Sequence, residues 1–114
     1  MSQIARIRTH MVDPALITKA LDDLEKAYEV VEEGRNASRG DIWVKMFGPN
    51  LLLQRSRDGY DAICSVNRTR FVRKLVQRYA YQAARAKLEA QGFTLASEEI
   101  EEEGRIHLTL RRMT

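Results

Sequence analysis

Between Asp61 and Glu89 the chain has no acidic residue, yet it carries Arg68, Arg70, Arg73, Lys74, Arg78, Arg85 and Lys87. Arg70, Lys74, Gln77, Tyr81 and Arg85 recur at spacings of three and four, so they share one face of a helix. Like charges aligned without interleaved glutamates repel one another, and a solvated helix usually mixes the two signs. The chemistry such a face can do is recognition of phosphates or of an acidic protein. Carboxylates folding back from this same chain, above all Glu98 to Glu103, would serve as counter-charges instead. Tyr79 and Tyr81 fall on different helix faces, leaving Tyr81 as the ring able to stack on a base beside the arginines.

The other reactive side chains carry less. Glu98-Glu99-Ile100-Glu101-Glu102-Glu103 spans a strand end and a turn, where alternate carboxylates splay apart, whereas metal sites draw oxygens from separated elements. It reads as a solvated edge that discourages aggregation. His10 and His107 would be neighbours if the first and last strands paired, but two imidazoles alone hold a metal poorly. Cys64 is the only cysteine, which rules out an internal disulfide. It alternates with an inward Ile63 and has no histidine near it in sequence to act as a base. Gly34, Gly40, Gly48 and Gly59 are dispersed and form no phosphate loop. No nucleophile–base pair and no carboxylate pair on one element is visible. The expectation is a protein without catalytic residues, cofactor or metal.

The elements that must position the basic face follow from periodicity. Gln3 to Met11 alternates, with Ala5, Ile7, Thr9 and Met11 on one side and Ile4, Arg6, Arg8 and His10 on the other. Asp13 as a cap and Pro14 at the first turn open a helix carrying Leu16, Ile17, Ala20, Leu21 and Leu24 to about Lys26. Strands are predicted at Tyr28–Glu33, Asp41–Phe47, Leu51–Arg55 and Tyr60–Val66. The polar loop Gly34–Gly40 is the segment expected to be most mobile, and Asp58-Gly59 makes a hairpin turn. A second helix runs from Thr69 to Ala90, capped by Asn67 or Thr69 and stopped at Gly92, with Val72, Leu75, Val76, Tyr79, Ala83, Ala86 and Ala90 as its apolar stripe. Strands at Phe93–Ile100 and Arg105–Arg111 close the chain around a turn at Glu101–Gly104. The order β-α-β-β-β-β-α-β-β implies a single α+β domain over residues 1–114: a two-layer sandwich of one mixed or antiparallel sheet with two helices on one face. Composition agrees, with 44% hydrophobic and 31% charged residues and a net charge of +3. No run approaches a membrane span and no signal-peptide core is visible, so the expected setting is cytoplasmic.

Trp43 and Phe47 could be core residues, or could form a patch on the helix-free side of the sheet. Strands IWVKMF and NLLLQ are more apolar than a wet face needs. A partner protein or a second copy is therefore expected to cover that face.

The run LVQRYAYQAARAKLEAQGF, an acidic strand, a glycine turn and IHLTLRR together resemble an uncharacterised domain family, that of the hypothetical chloroplast reading frame number thirty-five. Its members occur in bacteria, archaea, cyanobacteria and plastid genomes. Ser2-Gln3-Ile4, Ile7-Arg8-Thr9, the helix Leu16 to Leu24 and the hairpin LLLQRSRDGYDAICSV are similar to the family's opening and to its strand–turn–strand pattern. The chain departs from it at Gln3, where the family has histidine, after Val66, where an aspartate–tryptophan is missing, and at Arg111-Arg112-Met113-Thr114, which lacks a final tryptophan. The resemblance implies no established activity. Its gene neighbourhoods, beside AAA-type ATPases and small ferredoxin-like proteins, imply an accessory subunit, stromal if plastid-encoded. The combined expectation is a non-catalytic adaptor that binds a protein, itself or an AAA-type ATPase assembly through Arg70, Lys74, Arg78, Tyr81, Arg85, Trp43 and Phe47. The alternative is a nucleic-acid-binding module using the same helix face.

Overall fold

The computed structural model describes the backbone of residues 3–32, 39–100 and 106–112, and side chains within 3–32 and 39–92. The first strand, β1 (Ile4–Met11), follows its alternation: Thr9 and Met11 are buried, Ala5 and Ile7 half-buried, and Ile4, Arg6, Arg8 and His10 exposed. Asp13 then caps α1 (Pro14–Asp23). Its carboxylate accepts from the Ala15 N–H at 2.9 Å, and Pro14 takes the first turn, where no backbone donor is needed.

Helix α1 ends at Asp23, short of the expected Lys26. Glu25 turns left-handed at φ 57°, its N–H donates to Asp22 O at 3.0 Å, and the Lys26 N–H donates to Leu21 O at 2.9 Å. Those two reversed bonds satisfy the last carbonyls of the helix and stop it. A glutamate does what glycine usually does there, which is why composition gave no warning.

The strands β2 (Tyr28–Val30), β3 (Ile42–Val44), β4 (Leu51–Ser56) and β5 (Gly59–Ser65) join β1 in an antiparallel sheet of order β1-β5-β4-β3-β2. Strand β3 ends at Val44, not Phe47, because the chain turns: Asn50 Oδ1 accepts from the Met46 N–H at 3.2 Å, and Gly48 sits at φ 95°. Residues 33–38, most of the loop expected at 34–40, lie outside the described residues.

One side of each strand makes the core. Met11, Ile42, Val44, Leu51, Leu53, Tyr60, Ala62 and Cys64 cluster with Ile17, Ala20 and Leu21 of α1 and with Val72 and Leu75 of the second helix. Both helices therefore cover the same face of the sheet, as the two-layer α+β reading requires. Strand β5 has the opposite parity to that expected near Cys64. The thiol points into the core, and Ile63 lies half-buried on the other face, because Tyr60 and Ala62 set which side is inward.

The second helix, α2 (Thr69–Ala90), follows a single turn of 3-10 helix at Val66–Arg68. Neither Asn67 nor Thr69 caps it. The capping position is Arg68, whose side chain makes no capping bond. Gly92 at φ 91° ends the helix as expected. The apolar stripe is shorter than predicted: Val72 and Leu75 are buried, but Ala86 and Ala90 are exposed. Beyond Ala83 the helix has run past the core.

The terminal strands β6 (Phe93–Ile100) and β7 (Ile106–Arg112) pair with each other as a two-stranded sheet and do not extend the five-stranded one. Strand β1 pairs with β5, so the conditional meeting of His10 with His107 across the first and last strands does not occur. A bulge between Arg8 and Met11, with His10 at φ 61°, breaks the ladder on that edge. Such irregular edges discourage addition of a further strand.

Two backbone positions give direct tests. Gly59 has φ 132°, and a Cβ there would lie 2.5 Å from Met11 O. Gly59→Ala should lower stability by about 2 kcal/mol, read as a shift in the urea midpoint with unchanged slope. Glu25→Gly should do the reverse, raising stability by up to about 1 kcal/mol by relieving a left-handed L-residue.

Candidate functional site

The seven residues singled out in the sequence fall into three groups. Arg78 and Tyr81 are drawn into the molecule, while Arg85, half-buried, is paired along its own helix. The Arg78 Nε–H donates to Asp23 Oδ2 at 2.6 Å, and the Gln82 amide donates to the same oxygen. The guanidinium of Arg78 lies 3.9 Å from the centre of the Tyr81 ring, so the ring is roofed by its own neighbour. Tyr81 is only 5% exposed and the Tyr81 hydroxyl receives a bond from Arg85 at 3.3 Å, while Arg85 Nε–H donates to Glu89 at 2.8 Å. Tyr81 is not on the outward face that the spacing assigned to it, and no base can stack on it in this state. The cause is α1: a carboxylate at its last turn gathers Arg78 and Gln82, and the side of α2 carrying them becomes a helix–helix seam.

The counter-charges found are Asp23 and Glu89. The run Glu98–Glu103, expected in that role, lies among residues whose side chains are outside the described set. Burial pushes the Asp23 carboxyl up, but the hydrogen bonds from Arg78 and Gln82, with the charges of Arg78 and Arg85, outweigh it and hold the carboxyl below its ordinary 3.8.

Arg70 and Lys74 form the second group. Both are exposed, with Arg73 between them, and none of the three makes an ion pair among the described residues. The basic face thus survives only in the N-terminal third of α2.

Trp43 and Phe47 form the third. Trp43 stands on the helix-free face of the sheet, opposite Leu52, which in turn lies opposite Ile63. Leu52 is 6% exposed there, and Trp43 and Ile63 are half-buried. The same face is polar further along, where Arg6 pairs with Asp61 at 3.0 Å. Phe47 is not on the sheet at all. It occupies the β3–β4 turn at 97% exposure, and its carbonyl accepts from the Arg68 guanidinium. Register places this turn at the same end of the sheet as Ile4, opposite Ser65, and Val66, whose N–H donates to Gln3 O at 3.1 Å. Ile4 is 76% exposed and Val66 44%. Three large apolar side chains thus meet solvent at one end of the sheet, where α2 begins.

Sequence reasoning missed the roles of two residues, Arg68 at this rim and Tyr79 at the far end of β1. Arg68 fixes the turn that presents Phe47. The Tyr79 hydroxyl accepts from the Val12 and Asp13 N–H groups, both at 3.1 Å, tying α2 to the start of α1. Neither contact has a local signature, since Tyr79 and Val12 are 67 positions apart. Cys64 is buried, and burial raises its thiol while the charge of Arg68 draws it back. Among the described residues no three of His, Cys, Asp and Glu come together as metal ligands, and no helix is long and apolar enough to cross a membrane.

A protein-family model described as Protein of unknown function (DUF1257) matches residues 20–109. Comparison with curated proteins and with solved structures finds no match.

The Asp23 seam predicts a pH signature. A carboxyl held below its unfolded value contributes stability that is complete above that value and is lost as pH falls through the folded one. Asp23→Asn should cost about 1 kcal/mol at neutral pH, allowing for a partly exposed pair. The gap from wild type should close as melts are repeated below pH 3.8, the ordinary value for this carboxyl.

Proposed function

We propose, from the premise that this chain belongs to the family of unknown function DUF1257, that it is a non-catalytic protein-binding subunit of a larger assembly. The match fits the resemblance to an uncharacterised domain family drawn from the sequence. The docking surface is the end of the sheet that carries Phe47, and the partner is a protein with an acidic rim around an apolar pocket.

One observation carries this reading. Phe47 is 97% exposed, yet its turn is fixed by Arg68 and by Asn50. An aromatic side chain presented on a fixed backbone turn leaves little main chain to order, and it is the kind of anchor that dominates interface energetics when it enters a pocket. Ile4 and Val66 widen the apolar area, and Arg70 and Lys74 supply cations that steer an acidic partner. Trp43 and Ile63 offer a further contact on the adjoining sheet face. Support for a binding role over catalysis comes from Cys64, whose buried and raised thiol suits a core position better than nucleophilic attack.

The test is affinity capture from native extract with three proteins: wild type, Phe47→Ser, and Arg70→Glu combined with Lys74→Glu. The expected result is one stoichiometric protein retained by wild type. The serine variant should lose it by about 2 kcal/mol or more in affinity, with unchanged circular dichroism. The glutamate pair should slow association and remove its salt dependence. Equal retention by all three proteins would sink the proposal. So would a monomer whose only ligand is RNA or DNA, bound with a steep salt slope.

A further inference from the structure

We infer that the cleft between the end of α1 and the start of α2 is a binding site for a small phosphorylated molecule. The cleft has a volume of about 330 Å³, enough for a metabolite-sized ligand. Lys26, Arg68, Arg70 and Lys74 line it above an apolar floor of Leu24 and Phe71. No acidic side chain is among its described lining residues, and none of the four cations has an ion-pair partner among the described residues. The cleft shares Arg70 and Lys74 with the docking reading but makes no use of the Phe47 side chain.

The cations are placed by structure. The left-handed Glu25 ends α1 and reverses the chain, so that Lys26 Nζ lies 5.7 Å from the centre of the Phe71 ring. Arg68 is held by its bond to the Phe47 carbonyl, while its Nε is buried and has no hydrogen-bond partner. A partly buried guanidinium with an idle donor and no carboxylate bonded to it among the described residues is incomplete electrostatically. The first turn of α2 contains no acidic residue, so the positive end of the helix dipole adds to these charges.

The ligand class follows from the donors. The open guanidinium fork of Arg70, the Arg68 guanidinium charge beside it and two ammonium groups match a multiply charged, tetrahedral oxyanion better than a single carboxylate. The Asn67 amide at the rim can hydrogen-bond a hydroxyl, and the Phe71 and Leu24 floor suits a carbon skeleton. A phosphate ester satisfies all three parts.

The experiment is titration of the full chain with sodium pyrophosphate at constant ionic strength, followed by heteronuclear NMR and by thermal melting. The expected result is saturable binding, shifts centred on amides 66–74 and a raised melting temperature. Arg70→Ala with Lys74→Ala should weaken binding about tenfold or more without changing the ligand-free melting temperature. Phe47→Ser should bind pyrophosphate like wild type, which separates this site from the docking surface. A response that never saturates and follows ionic strength overturns the assignment. Undiminished affinity in the double variant, or tighter binding of citrate than of pyrophosphate, overturns it equally.

Discussion

The rotation of α2 about its own axis is the constraint on which the surface chemistry depends. Val72 and Leu75 enter the core and fix that rotation. With those two residues inward, Arg78 and Gln82 must lie toward α1, where Asp23 receives both. The polar seam is thus a consequence of apolar packing, and it disposes of charge that would otherwise stand unneutralised. Among the described residues the cations of α2 without an ion pair gather before the seam begins, at Arg70, Arg73 and Lys74, with Arg68 at the helix start, and Lys87 stands apart in the last turn. A helix that looks uniformly basic is divided by tertiary contact into a neutralised half and an available half.

The sheet obeys the same economy. Its core face is apolar from Met11 to Val44, and the buried polar side chains of Thr9, Asp41 and Tyr60 are partnered by backbone. Asp41 is fully buried and accepts the Arg55 N–H at 2.8 Å, while the Tyr60 hydroxyl donates to Gly40 O at 2.9 Å. Thr9 bridges the bulge in β1, donating to Tyr60 O at 2.6 Å and accepting the Met11 N–H at 3.2 Å. These bonds stabilise a backbone in which His10 and Glu25 are the left-handed non-glycine residues among those described. Both bracket α1, and both re-aim the chain: one into the helix, the other out of it toward the cleft beside α2. Local strain there is offset by cooperative packing elsewhere in the domain.

The opposite end of the economy is the rim where β1, the β3–β4 turn and α2 meet. Apolar side chains lie in solvent there, and basic ones stand without partners among the described residues. The exposure of Ile4 and Phe47 leaves an apolar patch in solvent beside those cations, the feature on which the proposed docking rests.

Periodicity and turn chemistry in the sequence determined the order of elements, the α+β class, the inward face of β1 and the glycine stop after α2. Each of those is a local preference, readable within a few residues. Sequence erred where a local rule met a distant partner. Helix α1 stops early on a glutamate, Cys64 and Ile63 exchange faces, Tyr81 turns inward beneath Arg78, and Phe47 leaves the sheet for a turn. Arg78 meets Asp23 across 55 positions, a pairing no window of sequence can contain. Which cations find an ion-pair partner among the described residues, and that Phe47 faces solvent, were decided only by tertiary structure. Charge neutralisation and burial depend on distance in space, and the chain sets that distance only once it has folded.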